Sequence, residues 1–438
     1  MGLKRWQLAL IHAAVAITLV PINSTLNRVM IKELGISATL VAIMASLPYL
    51  FSPVQVAIGA YSDRHPIWGL RRTPYILAGL LLCVGGLAIA PMVVFILPQN
   101  FFLGLGLTLL TFGAWGMGYN LAAVSYLSLA TELSGEKGRT RTVAVMWFVM
   151  IVGIILTAAG LSRLLVIYSP EQLQRAFNLV AVVALVLGLL GIMGLEPRRS
   201  ASSGMSREEE QASWGDQLRM IWRNPQARLF FVYLSALLIA ILGQDVLLEP
   251  YAAEAFALSV AATTRITSIW GTCFLTALIV AAGLESRLGK RRVAWAGAVI
   301  ALMGFSLIVG AGVIATVEVF YIGVILLGLG SGLATVSNLS LMLDMTTQQV
   351  GLYMGAWGMA SALARILGSV LGGVVRDIVT VVSQNALLGY GVVFGIQTAL
   401  LGVSLVLLWR IDVQAFRETS QRLSLGTRAA ILQDVDAG

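Results

Sequence analysis

Charged residues make up only 11% of this 438-residue chain, while 58% of it is hydrophobic. Soluble domains carry about 25% charged residues, so an ordinary water-exposed surface is excluded. Cysteine is nearly absent. Cys83 and Cys273 lie far apart within apolar runs, which excludes a disulfide framework or a thiolate metal cluster and leaves two small buried hydrophobes. Histidine is limited to His12 and His65, too few and too distant for a metal-spaced set. No glycine loop ends in the Lys-Ser/Thr pair that holds phosphates, and no nucleophile is paired with a histidine, so the chain is not expected to be an enzyme. The short alternating strands of a membrane β-barrel are missing too.

What remains is long apolar runs. A hydrocarbon layer needs about 20 apolar residues per helix. Twelve such runs stand near 7–30, 38–61, 73–97, 101–130, 142–167, 175–195, 228–250, 262–285, 292–314, 317–343, 350–376 and 387–409. The expected class is all-α, a polytopic membrane protein whose first partner is the lipid bilayer. "MGLKRW" leads into the first run with no small-residue cleavage site, so that run is read as a retained helix. Most of the 29 Lys and Arg gather at the termini and in the loops of one side. The positive-inside rule makes that side cytoplasmic, with both termini on it. The net charge of +8 then follows from topology and gives no reason to invoke nucleic acid.

A polar stretch, "EPRRSASSGMSREEEQASWGDQLRMIWRNPQA", divides the chain into an N-terminal six-helix half at 1–195, a cytoplasmic central loop at 196–227, a second half at 228–409 and a cytoplasmic tail at 410–438. The halves echo each other. "GAYSDRHPIWGLRR" returns as "AGLESRLGKRR", with Arg64 matching Arg287 at an offset of 223, and Glu132 falls against Asp344. A duplication is implied.

After span seven, "GQDVLLEPYAAEAF" places Asp245, Glu249 and Glu254 beside Pro250. Glu249 lies 21 residues beyond Arg228, roughly 31 Å of helix, which puts it near the far interface, with Pro250 where the chain leaves the bilayer and Glu254 in a solvated loop. The duplication offset carries Glu249 to position 26, two residues before Arg28. Arg365 sits deepest of the charges, about 22 Å into span eleven, and must face a cavity or a carboxylate, Asp245 being the nearest plausible one. Asn120 and Asn338 occupy related places in spans four and ten, where either cavity lining or helix-to-helix bonding suits them. His12 is either a packed interface residue or a ligand two turns in from Trp6.

Between spans two and three, Gly59, Asp63, Arg64, Gly69, Arg71 and Arg72 follow the signature of the major facilitator superfamily, and Glu132 lies after span four. The resemblance implies twelve transmembrane helices in two six-helix halves, and a latch at the cytoplasmic end formed by these residues. The second copy departs from the signature, with Ser286 in place of the aspartate. "STLNRVMIKELG", "SPVQVAIGAYSDRHPIWGLRRTPYILAG" and "GQDVLLEPYAAEAFALSV" resemble, more narrowly, the PucC-type, bacteriochlorophyll delivery branch of that superfamily.

That resemblance implies a membrane assembly factor in a bacterial inner, intracytoplasmic or thylakoid membrane. It would bind or deliver chlorophyll or bacteriochlorophyll for antenna or photosystem subunits, with pigment-synthesis enzymes as further partners and His12 as a candidate magnesium ligand. It also brings the outer ends of spans one and seven together, so that Arg28 with Asp245 or Glu249 would form a gate. Asn27, Asn120, Gln244, Asn338 and Arg365 would then line the cavity. Plain interfacial charges, with Lys32 and Glu33 as a surface pair, are the competing reading of the gate. A proton-coupled small-solute transporter and a non-transporting assembly scaffold are the alternatives for the whole chain.

Overall fold

The computed structural model describes residues 2–52, 54–197, 225–345 and 350–411. Among them the regular structure is helical, apart from a bridge between Ile67 and Leu70. Span one is α1 (Gly2–Ile17) continued by two π-helical stretches, Pro21–Leu26 and Val29–Glu33. Span two is α2 (Ala38–Leu50) with α3 (Val54–Arg64), and span three is α4 (Thr73–Val94). A positive φ of 61° at Gly135 breaks the next long helix into α5 (Phe101–Gly135) and α6 (Gly138–Leu164), followed by α7 (Pro170–Ile192). Span seven is α8 (Pro225–Leu242) with α9 (Leu248–Phe256). Then come α10 (Val260–Leu288), α11 (Lys290–Ile314), α12 (Val317–Met345), α13 (Val350–Ser383) and α14 (Ala386–Arg410).

Among the described residues ten helical stretches are long and apolar enough to cross a membrane, and spans two and seven, each built from shorter helices, complete the expected twelve. Their lipid-side residues are apolar: Leu81, Ile89, Leu156 and Val182 are among many large hydrophobics left exposed, as a hydrocarbon solvent allows. Five of the helices that start on the face opposite the termini carry Ser or Asn caps. Ser37, Asn100, Ser169, Ser259 and Asn385 each accept the amide hydrogen three residues on, filling donors that nothing else in the first turn would satisfy. Spans three and four touch backbone to backbone, because a Cβ on Gly79 would stand 2.6 Å from the Ala122 nitrogen. Gly297 repeats that approach between spans nine and ten, 2.6 Å from the Ala334 nitrogen, as a duplicated plan requires.

The two halves meet along three helix pairs. Spans five and eight are joined by Ser162 donating to the Ala261 carbonyl at 2.7 Å and Ser268 to that of Ile155 at 3.3 Å. At spans two and eleven the Asp377 carboxylate accepts the amides of Ala38 (3.2 Å) and Thr39 (2.8 Å) and the Thr39 hydroxyl (2.7 Å), capping α2 from the other half. Spans one and seven form the third pair and position the site.

Candidate functional site

Two polar zones lie on span seven, and both depend on where it breaks. The break falls at Gly243–Leu247, upstream of Pro250. A Cβ on Gly243 would come within 2.9 Å of Gly368 Cα on α13, so glycine lets the two helices close there. Pro250 stands in the first turn of α9, where its missing N–H has no helical partner to lose. The expected helix break at Pro250 is therefore displaced upstream. The helix runs on to Phe256, Glu249 is buried at 4% exposure, and Glu254 is helical and not in a loop.

The first zone is at mid-span. Asp245 Oδ2 is ion-paired with Nη1 of Arg365, and Gln244 Nε2 donates to Asp245 Oδ1 at 3.0 Å. The Arg365 guanidinium lies over the ring of Tyr49, 5.2 Å from its centroid. Tyr49 belongs to the N-terminal half, so the site spans both halves. Arg365 and Asp245 keep 30% and 25% of their side-chain surface accessible, beside Tyr49 of the other half. The expected partnership of Arg365 with Asp245 is present. Tyr49 was not foreseen, since a tyrosine in an apolar run gives no charge signal.

The second zone closes the side opposite the termini. Ser24 Oγ donates to Glu249 Oε1 at 2.5 Å and Thr267 Oγ1 donates to the same oxygen at 2.6 Å. Thr25 and Thr264 hydroxyls meet at 3.1 Å. Arg28 Nη2 donates to the Leu258 carbonyl at 3.2 Å, and Lys32 Nζ pairs with Glu254 at 2.5 Å. Ser24, Arg28 and Lys32 stand a turn apart on one face of span one, so a single strip of that helix holds span seven and the turn after it.

The expected pairing of Arg28 with Asp245 or Glu249 is not formed. The i→i+5 ladder of a π-helix stacks residues five apart, and Arg28 accordingly takes Glu33 as its ion partner. Asp245 is held by Arg365, and Glu249 Oε1 is held by two hydroxyls while its Oε2 is buried without a hydrogen-bond partner. The duplication located the helix ends correctly and misnamed the partners. The Lys32–Glu33 surface pair is absent for the same reason.

The other residues expected to line the cavity are buried. Asn120 is wholly buried, accepting from Gln55 and donating to the carbonyls of Pro48 (2.7 Å) and Gly116 (2.8 Å). Asn338 is equally buried between the Tyr233 hydroxyl and the Ala334 carbonyl, both at 2.7 Å. Asn27 donates to its own helix at Asn23, 2.9 Å away, and Gln244 is 4% exposed. A buried amide must bond, and neighbouring helix carbonyls offered the partners.

His12 is 7% exposed, its ring 5.1 Å from Tyr126 and 6.0 Å from Trp147, with Nδ1 buried and unbonded. Among the described residues no cluster of three His, Cys, Asp or Glu is placed to hold a metal ion.

At the termini face, Arg72 pairs with Glu132 at 3.1 Å and donates to Ser62 Oγ at 2.7 Å. Glu196 accepts the amides of Arg71 (2.8 Å), Arg72 (3.1 Å) and Thr73 (2.7 Å), capping span three. These bonds hold the ends of spans two, three and four to one another and to the segment after span six. Gly59 Oxygen accepts from Ser62 at 2.9 Å, Gly69 sits at φ +75° in the turn, and Arg64 is exposed. The side chains of Asp63 and Asp344 lie outside the described residues, as do most of the central loop and the tail. Glu196, the first residue of the expected loop, was missed as a cap because a carboxylate at a loop edge reads as solvated.

Residues 25–416 match the profile of the PUCC protein family. The chain belongs to the PucC family. Protein PucC of Cereibacter sphaeroides is 33% identical over 398 residues, 89% of this chain and 86% of that protein. The bacteriochlorophyll synthase 44.5 kDa chain of Rhodobacter capsulatus is 28% identical over 91% of this chain and 92% of its own length. Among solved structures, an inward-facing, unoccupied bacterial homologue of the lysosomal transporter Spinster superposes with a TM-score of 0.70 at 11% identity, over 95% of this chain and 98% of that one. The D-xylose–proton symporter superposes at 0.66 and 15% identity, over 94% and 97%. PucC-family membership and these likenesses together make the fold a major facilitator fold in an integral membrane protein.

Proposed function

We propose that this protein is a non-enzymatic membrane carrier that binds chlorophyll or bacteriochlorophyll and hands it to antenna or photosystem subunits as they assemble. The observation that carries this reading is the PUCC match across residues 25–416, and the name of the Rhodobacter capsulatus relative points to the same pigment chemistry. The arrangement of the halves suits a carrier: they are bonded together on one side, while a polar site between them stays accessible at mid-span. Both termini and the basic loops are cytoplasmic in this reading, with the bonded side facing away from the cytoplasm.

One observation favours a second reading. An ion pair at mid-span between two halves also suits proton-coupled uptake of a small solute. Vesicles containing the protein, loaded with pigment and mixed with a pigment-free antenna apoprotein, separate the two. A carrier transfers pigment faster than empty vesicles do. Transfer at the background rate, together with pH-driven solute uptake, would replace the pigment reading by the second.

A further inference from the structure

The mid-span site has an unequal supply of hydrogen-bonding groups. A guanidinium offers five N–H donors. In Arg365, one goes to Asp245, and the neighbouring Tyr49 hydroxyl takes at most one more. Both oxygens of Asp245 are already accepting, from Arg365 and from Gln244 at 3.0 Å. Three N–H donors are then left against about two lone-pair sites on the Asp245 carboxylate, so donors are in excess, on a side chain with 30% of its surface open.

The charge at the site is already balanced. An anion entering there would meet a cation that Asp245 has neutralised, and would lose its hydration without gaining a counter-ion. A carbonyl or ester oxygen accepts the same hydrogen bonds and adds no charge. Tyr49, from the N-terminal half, lies against the guanidinium and adds an aromatic ring beside the free donors, the kind of surface on which flat molecules pack.

We propose that the mid-span site takes a neutral, flat, apolar ligand by a carbonyl or ester oxygen bound to Arg365, and discriminates against the corresponding carboxylate. The proposal rests on the carrier reading in treating this as the cargo site. Two sources share the chemistry: an esterified tetrapyrrole and a membrane quinone.

The test uses the full chain in lipid nanodiscs, with binding followed by quenching of tryptophan fluorescence. The probes are methyl chlorophyllide a, chlorophyllide a and ubiquinone-1. The first two differ only in whether one propionate is esterified, so their comparison needs no variant. The methyl ester is expected to bind the parent about tenfold or more tightly than the acid. The paired substitution Asp245→Leu with Arg365→Met, which removes both charges together, should weaken ester binding by about tenfold or more, as loss of a charged donor does.

Equal or tighter binding of the free acid would overturn the proposal, as would unchanged ester binding by the paired variant. Binding of ubiquinone-1 alone, with the same dependence on Arg365, would uphold the recognition chemistry and remove the pigment from the proposed function. Binding of none of the three would remove both.

Discussion

At the scale of single residues, the partner that holds a charge at mid-span sets the outcome of its mutation. Asp245 and Arg365 neutralise one another at mid-span, so Asp245→Asn alone should strand a buried cation and cost about 3–5 kcal/mol, while Asp245→Leu with Arg365→Met should cost far less. Unfolding in detergent, followed for both single variants and the pair, checks this. Additive losses would mean the two side chains do not act as a pair. His12 has a simpler test: if it ligates pigment, His12→Leu lowers pigment occupancy while leaving the folded yield unchanged, and unchanged occupancy assigns it to packing against Tyr126 and Trp147.

Much of this residue-level detail could not be read from the sequence. Arg365 was legible because a charge deep in an apolar run demands a partner, and Asp245 was the acid within reach. The hydroxyls of Ser24 and Thr267 were not, since an uncharged side chain in a greasy run announces nothing. Arg28 was located but given the wrong partner, because only the π-helical backbone brings Glu33 under it.

At the scale of elements, closure on the side opposite the termini rests on one strip of span one and on the cap of span two. Lys32 and Glu254 form a half-exposed pair between the halves, for which a coupling of about 0.2–1 kcal/mol is expected. Lys32→Glu and Glu254→Lys should each raise the labelling rate of a cysteine placed in the sealed layer, and the double swap should restore it. Swapping Arg28 with Glu249 should restore nothing, because they are not partners. Asp377→Ala removes the cap from α2 and should cost about 0.5–2 kcal/mol with a parallel rise in labelling. A loss of stability with no change in labelling would show that the cap stiffens span two without sealing the halves. The spans themselves were legible from apolar length alone. Their interruptions were less so: the break in span seven follows a glycine contact with α13, and the adjacent proline drew the expectation to the wrong residue.

At the scale of the molecule, the number and length of the spans followed from apolar run length. Those features are set by the bilayer, which acts on every span alike. How the halves bond to each other, and through what groups, depends on contacts between segments far apart in sequence, such as Ser24 with Glu249, separated by 225 residues. A repeat offset names the neighbourhood of such a contact and not its chemistry. The central claim concerns cargo. The most direct measurement is the visible and near-infrared absorption spectrum of the protein, solubilised in mild detergent from cells rich in pigment and passed through gel filtration. A chlorophyll-type band co-eluting with the protein, diminished when Asp245→Leu and Arg365→Met are combined, is the result the account predicts. A colourless protein peak from the same cells would contradict it.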